Sequence, residues 1–377
     1  MNYKPPIILQ LIPSLKSGGV ERGTIDIAKA IKAAGAVPLV ASSGGNMVVQ
    51  LTSAGIEHIQ LPLQSKNPLT LWQNSKRIAK LVRERGVDIV HVRSRAPAWS
   101  AWYARKRQPF HFMTTFHGTY NIQNNLKRCY NAVMTKGERV IAISHFIADH
   151  IQKNYPIDAA KLRIIPRSVD LKLFNRANYS QQRMATLTKE WHMPEDKPLI
   201  LCPGRITRWK GQDVLIKALA ALPHRNFFAV ILGDDKGHES FRHDLERLIT
   251  HYNLEGSIRI AKHTSNIVEA YVLAKMVIST SIEPEAFGRV ALEAQAMGRP
   301  VIATNHGGSL ETVADQITGW LVPPGDVKAL SERIEYILNA PDELLEEIGQ
   351  NAVQNAQRFS LESMCQETLK VYKELAG

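Results

Sequence analysis

The chain has 377 residues, 44% of them hydrophobic and 22% charged, and its formal net charge is +12. This length allows two domains with separate cores, and the composition excludes a disordered chain. Three widely spaced cysteines exclude a zinc ligand set and a disulfide framework. Because no apolar run approaches the roughly 20 residues of a membrane span, and the N-terminal run is typical of a buried strand, we expect a soluble, cytoplasmic protein.

The charge is unevenly distributed along the chain. Residues 1–175 contain 25 Lys and Arg against 9 Asp and Glu, a net charge of +16, whereas the remainder carries −4. Such asymmetry predicts a polyanionic partner for the first half, and nucleic acid and an anionic membrane are the two candidates.

Short apolar runs alternate with helical patterns in the first half. A run at 7–12 precedes a helical pattern from Glu21 to Ala34, and a second helical pattern spans Leu69 to Glu84. The remaining runs expected to form strands are 37–42, 87–92, 110–117, 139–144 and 162–166. Nearly continuous apolar strands that alternate with helices are typical of a parallel sheet covered on both faces.

The second half repeats this organisation. A helix is expected near Asp213–Leu222, after the first of five apolar runs, which are 198–204, 227–234, 257–261, 275–281 and 299–305. The polar stretch 175–197 lacks a strand pattern and marks the boundary. We therefore predict an α/β fold of two doubly wound, Rossmann-like domains facing a deep cleft, 1–175 and 176–355, with a C-terminal helix at about 356–377 that packs back on the first.

Several strand-to-helix turns are suited to phosphate. Gly18-Gly19 stands directly before a helix, although the spacing to Gly23 does not match the GxGxxG fingerprint. The turn PGRITRWKGQD carries Arg205 and Lys210, which could both reach a diphosphate. Further glycine turns follow strands at 233–237 and 304–313. Each turn could equally be a tight loop without a ligand, but their coincidence at strand ends favours a binding edge.

Two features bear on catalysis and metal binding. His117 ends an apolar strand, and its ordinary pKa near neutrality would let it donate or accept a hydrogen bond at a reacting group. Asp234-Asp235 lacks the further oxygen ligands of a metal site, so we expect no metal and no other cofactor.

The stretch EPEAFGRVALEAQAMGRP places Glu285 and Glu293 on either side of a Phe287-Gly288 step. Acidic residues near a helix start are favoured by the helix dipole, but a glycine there also exposes N–H groups that bind phosphate. Carboxylates are poor neighbours of phosphate and good acceptors for vicinal hydroxyls. The stretch is therefore either a helix start with ordinary acidic residues or a pocket that holds an anion between two acids.

This stretch resembles the E-x7-E region of glycosyltransferase family 4, whose members are retaining enzymes of GT-B architecture. Further segments match in order over nearly the whole chain, namely SGGVER, TTFHG, AISHFIADHI, IIPRSVDLKLF, PGRITRWKG, ILGDD and HGGSLETV. More loosely, the first half is similar to the lipopolysaccharide-core transferases of the family. The resemblance implies a nucleotide diphosphate sugar as donor, held mainly by the second domain.

The resemblance also implies residue roles. Glu285 would bind hydroxyls of the transferred sugar and Glu293 the ribose, while Arg205 and Lys210 would neutralise the diphosphate. His117 would line the transfer centre. The remaining donor-binding residues implied are Gly18, Gly19, Gly233, Phe287, Gly288, Arg289 and Val290. Arg167-Ser168 stands where the family usually has Asn-Gly, and Asp235 where it often has glycine.

We expect retaining, metal-independent transfer in lipopolysaccharide or cell-envelope biosynthesis, with the leaving phosphate accepting the acceptor's proton. The acceptor would be a glycolipid or oligosaccharide, approached through the basic segments 93–107 and 124–131 at the inner face of a membrane. The aromatic rings of Trp99, Trp102 and Tyr103 suit such an interface, although a solvated basic helix would look the same. The alternatives are a sugar-nucleotide epimerase or phosphorylase and, without a recognisable motif, a nucleic-acid-binding protein. We expect no nucleic acid partner.

Overall fold

A computed structural model describes residues 5–16 and 18–377. The chain forms two compact units. Unit 1 comprises Met1–Arg167 and Leu361–Gly377, and unit 2 comprises Ser168–Ser360. The C-terminal segment therefore belongs to the unit that the chain builds first. No helix in the described ranges is long and apolar enough to cross a bilayer.

Unit 1 is built on a parallel sheet of seven strands in the order β3-β2-β1-β4-β5-β6-β7. The strands are β1 (Ile7–Leu11), β2 (Val37–Ser42), β3 (Glu57–Gln60), β4 (Ile89–Val92), β5 (His111–Phe116), β6 (Arg139–Ala142) and β7 (Leu162–Ile164). The central strands β1, β4 and β5 are almost fully buried, as parallel strands covered on both faces must be.

Unit 2 is built on a parallel sheet of six strands in the order β10-β9-β8-β11-β12-β13. The strands are β8 (Leu199–Pro203), β9 (Phe228–Leu232), β10 (Ile258–Ala261), β11 (Ala274–Ser279), β12 (Val301–Thr304) and β13 (Trp320–Val322). In both sheets the chain starts near the middle and reverses its direction of growth once, which confirms the predicted doubly wound α/β class.

Helices connect the strands, as right-handed crossovers between parallel strands require. In unit 1 they are α1 (Gly19–Ala33), α2 (Val48–Ser53), α3 (Pro68–Arg85), α4 (Arg95–Arg105), α5 (Asn125–Asn131) and α6 (His145–Asn154). In unit 2 they are α7 (Gln181–Trp191), α8 (Gln212–Ala220), α9 (Glu239–His251), α10 (Ile267–Leu273), α11 (Arg289–Ala296), α12 (Ser309–Thr312), α13 (Val327–Asn339) and α14 (Asp342–Gln357). The last helix, α15 (Leu361–Ala376), returns to unit 1.

Helix α15 is fixed to unit 1 by a buried hydrogen bond and by an ion-pair cluster. The Tyr372 hydroxyl lies 2.7 Å from Nδ1 of His91, a fully buried residue of β4. Near the end of the helix, Glu374 pairs with Arg139 and Arg163, each at 2.7 Å. Apolar residues of α15, including Val371 and Leu375, pack in the same core as β1 and β4. The C-terminal helix is thus part of the first unit's core.

Candidate active site

Glu285 lies in the turn that joins β11 to α11, and glycines of a neighbouring turn hold it there. The Gly308 N–H donates to the Glu285 backbone carbonyl at 2.7 Å. A Cβ on Gly308 would lie 2.3 Å from the Cα of Phe287, and one on Gly307 would lie 2.6 Å from the Glu285 carbonyl oxygen. Such contacts are too short for any side chain, so the two glycines of HGGSLETV allow the two turns to pack together.

Three donors converge on one oxygen of the Glu285 carboxylate. Oε1 accepts from Lys210 Nζ at 2.7 Å, from Ser281 Oγ at 2.6 Å and from Ser279 Oγ at 3.2 Å. Within residues 5–16 and 18–377, Oε2 of the same carboxylate has no hydrogen-bond partner. The side chain is only 10% exposed. One oxygen is therefore saturated by the protein while the other remains able to accept.

The Glu285 carboxylate is ionised at neutral pH. Burial alone would raise its pKa, but the charge of Lys210 and the hydrogen bonds from Lys210, Ser281 and Ser279 lower it further than burial raises it. The net result is a pKa below the ordinary glutamate value. The site thus presents a fixed negative charge with a free acceptor oxygen.

Lys210 is held in place by hydrogen bonds between its own turn and the turn that follows β11. The Lys210 carbonyl accepts from Thr280 Oγ1 at 2.9 Å, and the Trp209 carbonyl accepts from the Ile282 N–H at 2.8 Å. Gly211 has a φ of 65°, and a Cβ there would lie 2.3 Å from the Thr280 carbonyl oxygen. The turns that carry Lys210 and Glu285 are therefore joined through their backbones, which fixes the ion pair.

The other two cations of the Lys210 turn differ in their surroundings. Arg208 pairs with Asp244 of α9 at 2.6 Å and lies over the ring of Phe241. Arg205 is exposed, and its guanidinium has no hydrogen-bond or ion-pair partner in the described part of the chain. Of the two cations expected at the site, Lys210 is committed to Glu285 and Arg205 is available to an anion.

Gly288 begins α11 with φ 80° and ψ 46°, a left-handed conformation that glycine adopts without strain. The first N–H groups of the helix, from Arg289 and Val290 onward, have no partner within the helix. Phe287 just before them is buried, with its ring 5.7 Å from that of Phe359. The helix start therefore has the geometry that suits an anion.

Glu293 differs from Glu285 because both its oxygens are bonded. Oε1 accepts from Arg289 Nε at 2.8 Å and Oε2 from the Tyr271 hydroxyl at 2.9 Å. Burial and the Glu293 charge raise the pKa of Tyr271 well above its ordinary value, so the phenol keeps its proton and donates. Each carboxylate oxygen has a second lone pair, and only through these could Glu293 accept further hydroxyls.

Gly233 follows β9 where the ends of two strands approach closely. A Cβ there would lie 1.8 Å from the Gly204 carbonyl oxygen after β8, so no side chain fits. The two acids that follow are engaged locally, since Asp234 Oδ1 accepts from the Lys236 N–H and Asp235 pairs with Arg242. Throughout the described ranges, no group of three or more His, Cys, Asp and Glu side chains could hold a metal ion.

In unit 1, Gly18 and Gly19 form the start of α1, beside the side chain of Glu21. A Cβ on Gly18 would lie 2.6 Å from Glu21 Oε2, and the residue has a φ of 131°. Burial raises the pKa of Glu21, while its own backbone N–H and the charge of Arg167 lower it. The glycine turn, Glu21 and Arg167 therefore lie at the same edge of the first sheet.

His117 directly follows β5, and its imidazole is hydrogen-bonded to Arg167. Arg167 donates to Nδ1 at 3.0 Å, and Nε2 is buried without a hydrogen-bond partner in the described chain. Burial and the charges of Arg167, Arg93 and His91 hold the pKa of His117 well below its ordinary value. The expectation of a pKa near neutrality was wrong, because a strand-end histidine is not fully solvated and its neighbours here are cationic.

The sequence did not predict all the residues that contact the candidate side chains. Ser279 and Ser281 donate to Glu285, Tyr271 donates to Glu293 and Arg167 donates to His117. The two serines could have been found from the sequence, because the hydroxyl run Ser279-Thr280-Ser281 ends an apolar strand shortly before Glu285. Tyr271 had none, because it lies 22 residues from its partner.

Two family models together match most of the chain. Residues 17–173 match the model described as Glycosyltransferase Family 4, and residues 184–355 match the model described as Glycosyl transferases group 1. The first match covers most of unit 1, and the second lies within unit 2.

Individual proteins give the same result. A glycosyltransferase of known crystal structure from Rickettsia africae ESF-5 is 42% identical, with 99% of each chain covered and a TM-score of 0.91. A D-inositol 3-phosphate glycosyltransferase from Xylanimonas cellulosilytica is 28% identical over 302 residues, 76% of this chain and 72% of that protein. Anabaena HepE, solved with UDP-glucose, is 24% identical over 98% of this chain and 99% of its own, with a TM-score of 0.83. The chain therefore belongs to glycosyltransferase family 4 and has the GT-B fold.

Proposed function

We propose that this protein transfers a glycosyl group from a nucleoside diphosphate sugar to a glycan or glycolipid acceptor, with retention at the anomeric carbon and without a metal ion. The observation that carries the proposal is the state of Glu285. Its carboxylate is ionised, is held by three donors on Oε1 and keeps Oε2 free of protein partners in the described chain. A buried acceptor of this kind suits the hydroxyls of a sugar.

The donor's groups would be divided among the residues of unit 2. Glu285 Oε2 would accept from hydroxyls of the transferred sugar. The unpartnered Arg205 and the N–H groups that follow Gly288 would bind the diphosphate, and Lys210 would reach it with an ammonium proton not used for Glu285. Glu293 would accept from the ribose hydroxyls through its remaining lone pairs, and the bare backbone at Gly233 would allow close approach of the nucleotide.

The mechanism follows from where charge develops. Cleavage of the sugar–phosphate bond leaves positive charge at the anomeric carbon and negative charge on the departing diphosphate. Arg205, Lys210 and the start of α11 would stabilise the departing charge, because they are oriented before the reaction begins. The departing phosphate would take the acceptor's proton. His117 would line the transfer centre, and Gly18 and Gly19 would line the donor.

UDP-glucose is the first donor to test. HepE, which shares the fold, was solved with this nucleotide sugar. We infer a UDP-linked sugar as donor. Thermal shifts with UDP, GDP, ADP and their sugars would identify the nucleotide, with the largest stabilisation expected for UDP compounds. Stabilisation by GDP or ADP compounds alone would contradict this choice.

Turnover tests the reaction itself. The donor identified in this way is incubated with candidate acceptors, with and without EDTA, and the product is examined by proton NMR. We expect free nucleoside diphosphate, a new glycoside with the anomeric configuration of the donor, and no effect of EDTA. An inverted product would contradict retention, and loss of turnover in EDTA would contradict metal independence. Conversion of the donor without a new glycoside would indicate an epimerase or phosphorylase.

The acceptor would be an anionic glycolipid of lipopolysaccharide or cell-envelope biosynthesis, reached at the inner face of a membrane. The +16 charge of residues 1–175 supports this part of the proposal. Two exposed apolar side chains also support it. Leu126 in the basic helix α5 is 84% exposed, and Tyr103 near the end of α4 is 40% exposed. Trp99 and Trp102 contribute less, since Trp99 stacks on Tyr103 and Trp102 packs against Phe112.

Co-sedimentation with vesicles tests the membrane surface. We expect binding to vesicles that contain anionic phosphatidylglycerol and little binding to neutral phosphatidylcholine, with the difference reduced by salt. Leu126→Ser should weaken the binding, because it removes the most exposed apolar side chain of α5 and leaves the charge unchanged. Equal binding to both kinds of vesicle would contradict a membrane role.

A further inference from the structure

The hydrogen bond between Arg167 and His117 assigns the proton on the imidazole. A guanidinium nitrogen can only donate, and arginine stays charged at every pH at which proteins are folded. Because Arg167 donates to Nδ1 at 3.0 Å, that nitrogen must be the bare one. The single proton of the neutral ring is therefore on Nε2.

The Nε2–H group is a donor without an acceptor. It is buried and has no hydrogen-bond partner in the part of the chain that the structure describes. Buried donors are normally satisfied, so this unpaired one at the end of a strand is free to donate to a ligand. The position agrees with the transfer centre proposed above, because His117 directly follows β5 at the carboxyl edge of the sheet.

The charged groups around the ring oppose a second proton. Arg167 contacts Nδ1 from the loop after β7, Arg93 acts from the residue after β4, and His91 acts from within β4. The carboxylate of Glu21, in α1, interacts electrostatically with Arg167. With burial added, these groups keep the pKa of His117 well below its ordinary value.

We propose that Arg167 is a positioning residue that holds His117 as the neutral Nε2–H tautomer, so that the imidazole serves the reaction as a hydrogen-bond donor and never as a proton carrier. This inference rests on the function proposed above. A neutral ring adds no positive charge near the anomeric carbon, which itself becomes positive during transfer. A ring whose Nδ1 is occupied by a guanidinium cannot pass a proton through that nitrogen.

The backbone of Arg167 supports such a role. Its N–H donates to the Ile143 carbonyl, 3.3 Å away, which ties the loop after β7 to the residue following β6.

NMR of the free protein tests the tautomer without any substrate. The nitrogen shifts of the His117 ring, assigned by their loss in His117→Gln, should show a proton on Nε2 and none on Nδ1 across pH 6 to 8. In Arg167→Met the donor and the charge are lost together, so we expect mixed tautomers and a higher pKa. Arg167→Lys keeps a group that can only donate and should keep the tautomer. A wild-type ring protonated on Nδ1, or an unchanged ring in Arg167→Met, would overturn the proposal.

Turnover tests the consequence. Loss of one oriented hydrogen bond should lower kcat of Arg167→Met about tenfold at pH 8, and Arg167→Lys should recover most of it. The Arg167→Met rate should fall further toward pH 6, as the ring gains charge, whereas the wild-type rate should show no titration of this group. Equal rates and profiles for wild type and Arg167→Met, with equal melting temperatures, would overturn the positioning role. Absence of transfer by the wild type would overturn the proposed function and this reaction role, while the NMR result would still decide the tautomer.

Discussion

Each parallel sheet has a titratable candidate residue beyond the carboxyl end of a strand, Glu285 in unit 2 and His117 in unit 1. The electrostatic environments of these two residues are opposite. In unit 2, Glu285 is buried yet ionised, because Lys210 and two serine hydroxyls donate to one of its oxygens. In unit 1, His117 is neutral, because burial and cationic neighbours disfavour the charged ring. Both residues follow a buried strand. The comparison teaches that side chains from neighbouring turns, and not the strand pattern, decide the protonation state of a strand-end group.

Removing the charge of Glu285 should have the largest effect on activity. Glu285→Gln keeps the size of the side chain but replaces a charged acceptor by a neutral amide, so we expect kcat to fall about 10²–10³-fold. Steady-state turnover with the identified donor measures this loss. Glu285→Ala should abolish transfer while the fold remains intact. Turnover within threefold of the wild type in either variant would contradict the role of Glu285.

Removing the ammonium group of Lys210 should make the Glu285 carboxylate easier to protonate. Lys210 lowers the pKa of Glu285, so Lys210→Met should raise that pKa and shift the acidic limb of the activity profile to higher pH. The maximal rate should also fall, by about tenfold or more, since a charged hydrogen bond is lost. The kcat/KM profile from pH 4 to 8 measures both effects. Lys210→Arg, which keeps a charge, is the matched control, and an acidic limb in Lys210→Met identical to that of the wild type would contradict the coupling.

The geometry of the Glu285 turn can be altered without touching its charge. In Gly308→Ala the new methyl would overlap the Phe287 backbone, so the turn must move, at a cost of about 1–3 kcal/mol in stability. We expect lower turnover together with a lower melting temperature. Gly256→Ala is the control, because a Cβ there meets nothing within 4 Å. Equal turnover in the two variants would show that the close approach of the two turns is unnecessary.

The ion pairs of Glu374 with Arg139 and Arg163 attach helix α15 to unit 1 and lie outside the candidate site. Removing them should have the smallest effect, and that effect should be on stability. Arg163 and Arg139 lower the pKa of Glu374 to about 2, so its stabilising contribution is complete above its ordinary value near 4.5 and is lost as the pH falls toward 2. Because these side chains are about one-third exposed, Glu374→Gln should cost about 1 kcal/mol or less. Melting temperatures at pH 7 and pH 3 measure the difference, which should be smaller at the lower pH. A difference that grows on acidification would contradict this assignment.

The sequence predicted the inner strands of both sheets but missed two of the four edge strands, β3 and β13. β1, β2, β8 and β9 lie within apolar runs that the pattern identifies, because parallel strands in mid-sheet are buried on both faces. β3 was missed, since its ends are exposed and its residues Glu57–Gln60 are mostly polar. β13 was missed because three residues give no periodicity. The polar stretch that marks the boundary also contains a helix, Gln181–Trp191, with few buried residues to reveal it.

The sequence named candidate site residues but did not predict their contacts. Glu285, Lys210 and Gly288 lie together in unit 2, and the family resemblance had named all three. The sequence did not predict that Lys210 pairs with Glu285, or that Arg167 contacts His117, which lies 50 residues away along the chain. Such contacts depend on how separate turns pack, and residue spacing along the chain carries no record of that packing.

The binding of nucleotide and nucleotide sugar to Glu285→Gln tests the central claim most directly. By calorimetric titration, the variant should bind the nucleoside diphosphate within about twofold of the wild type, since Glu285 is assigned to the sugar alone. Its affinity for the complete nucleotide sugar should fall about tenfold or more, as one charged hydrogen bond is lost. Equal affinity of both proteins for the nucleotide sugar, or an equal loss for the nucleotide and its sugar, would contradict the account.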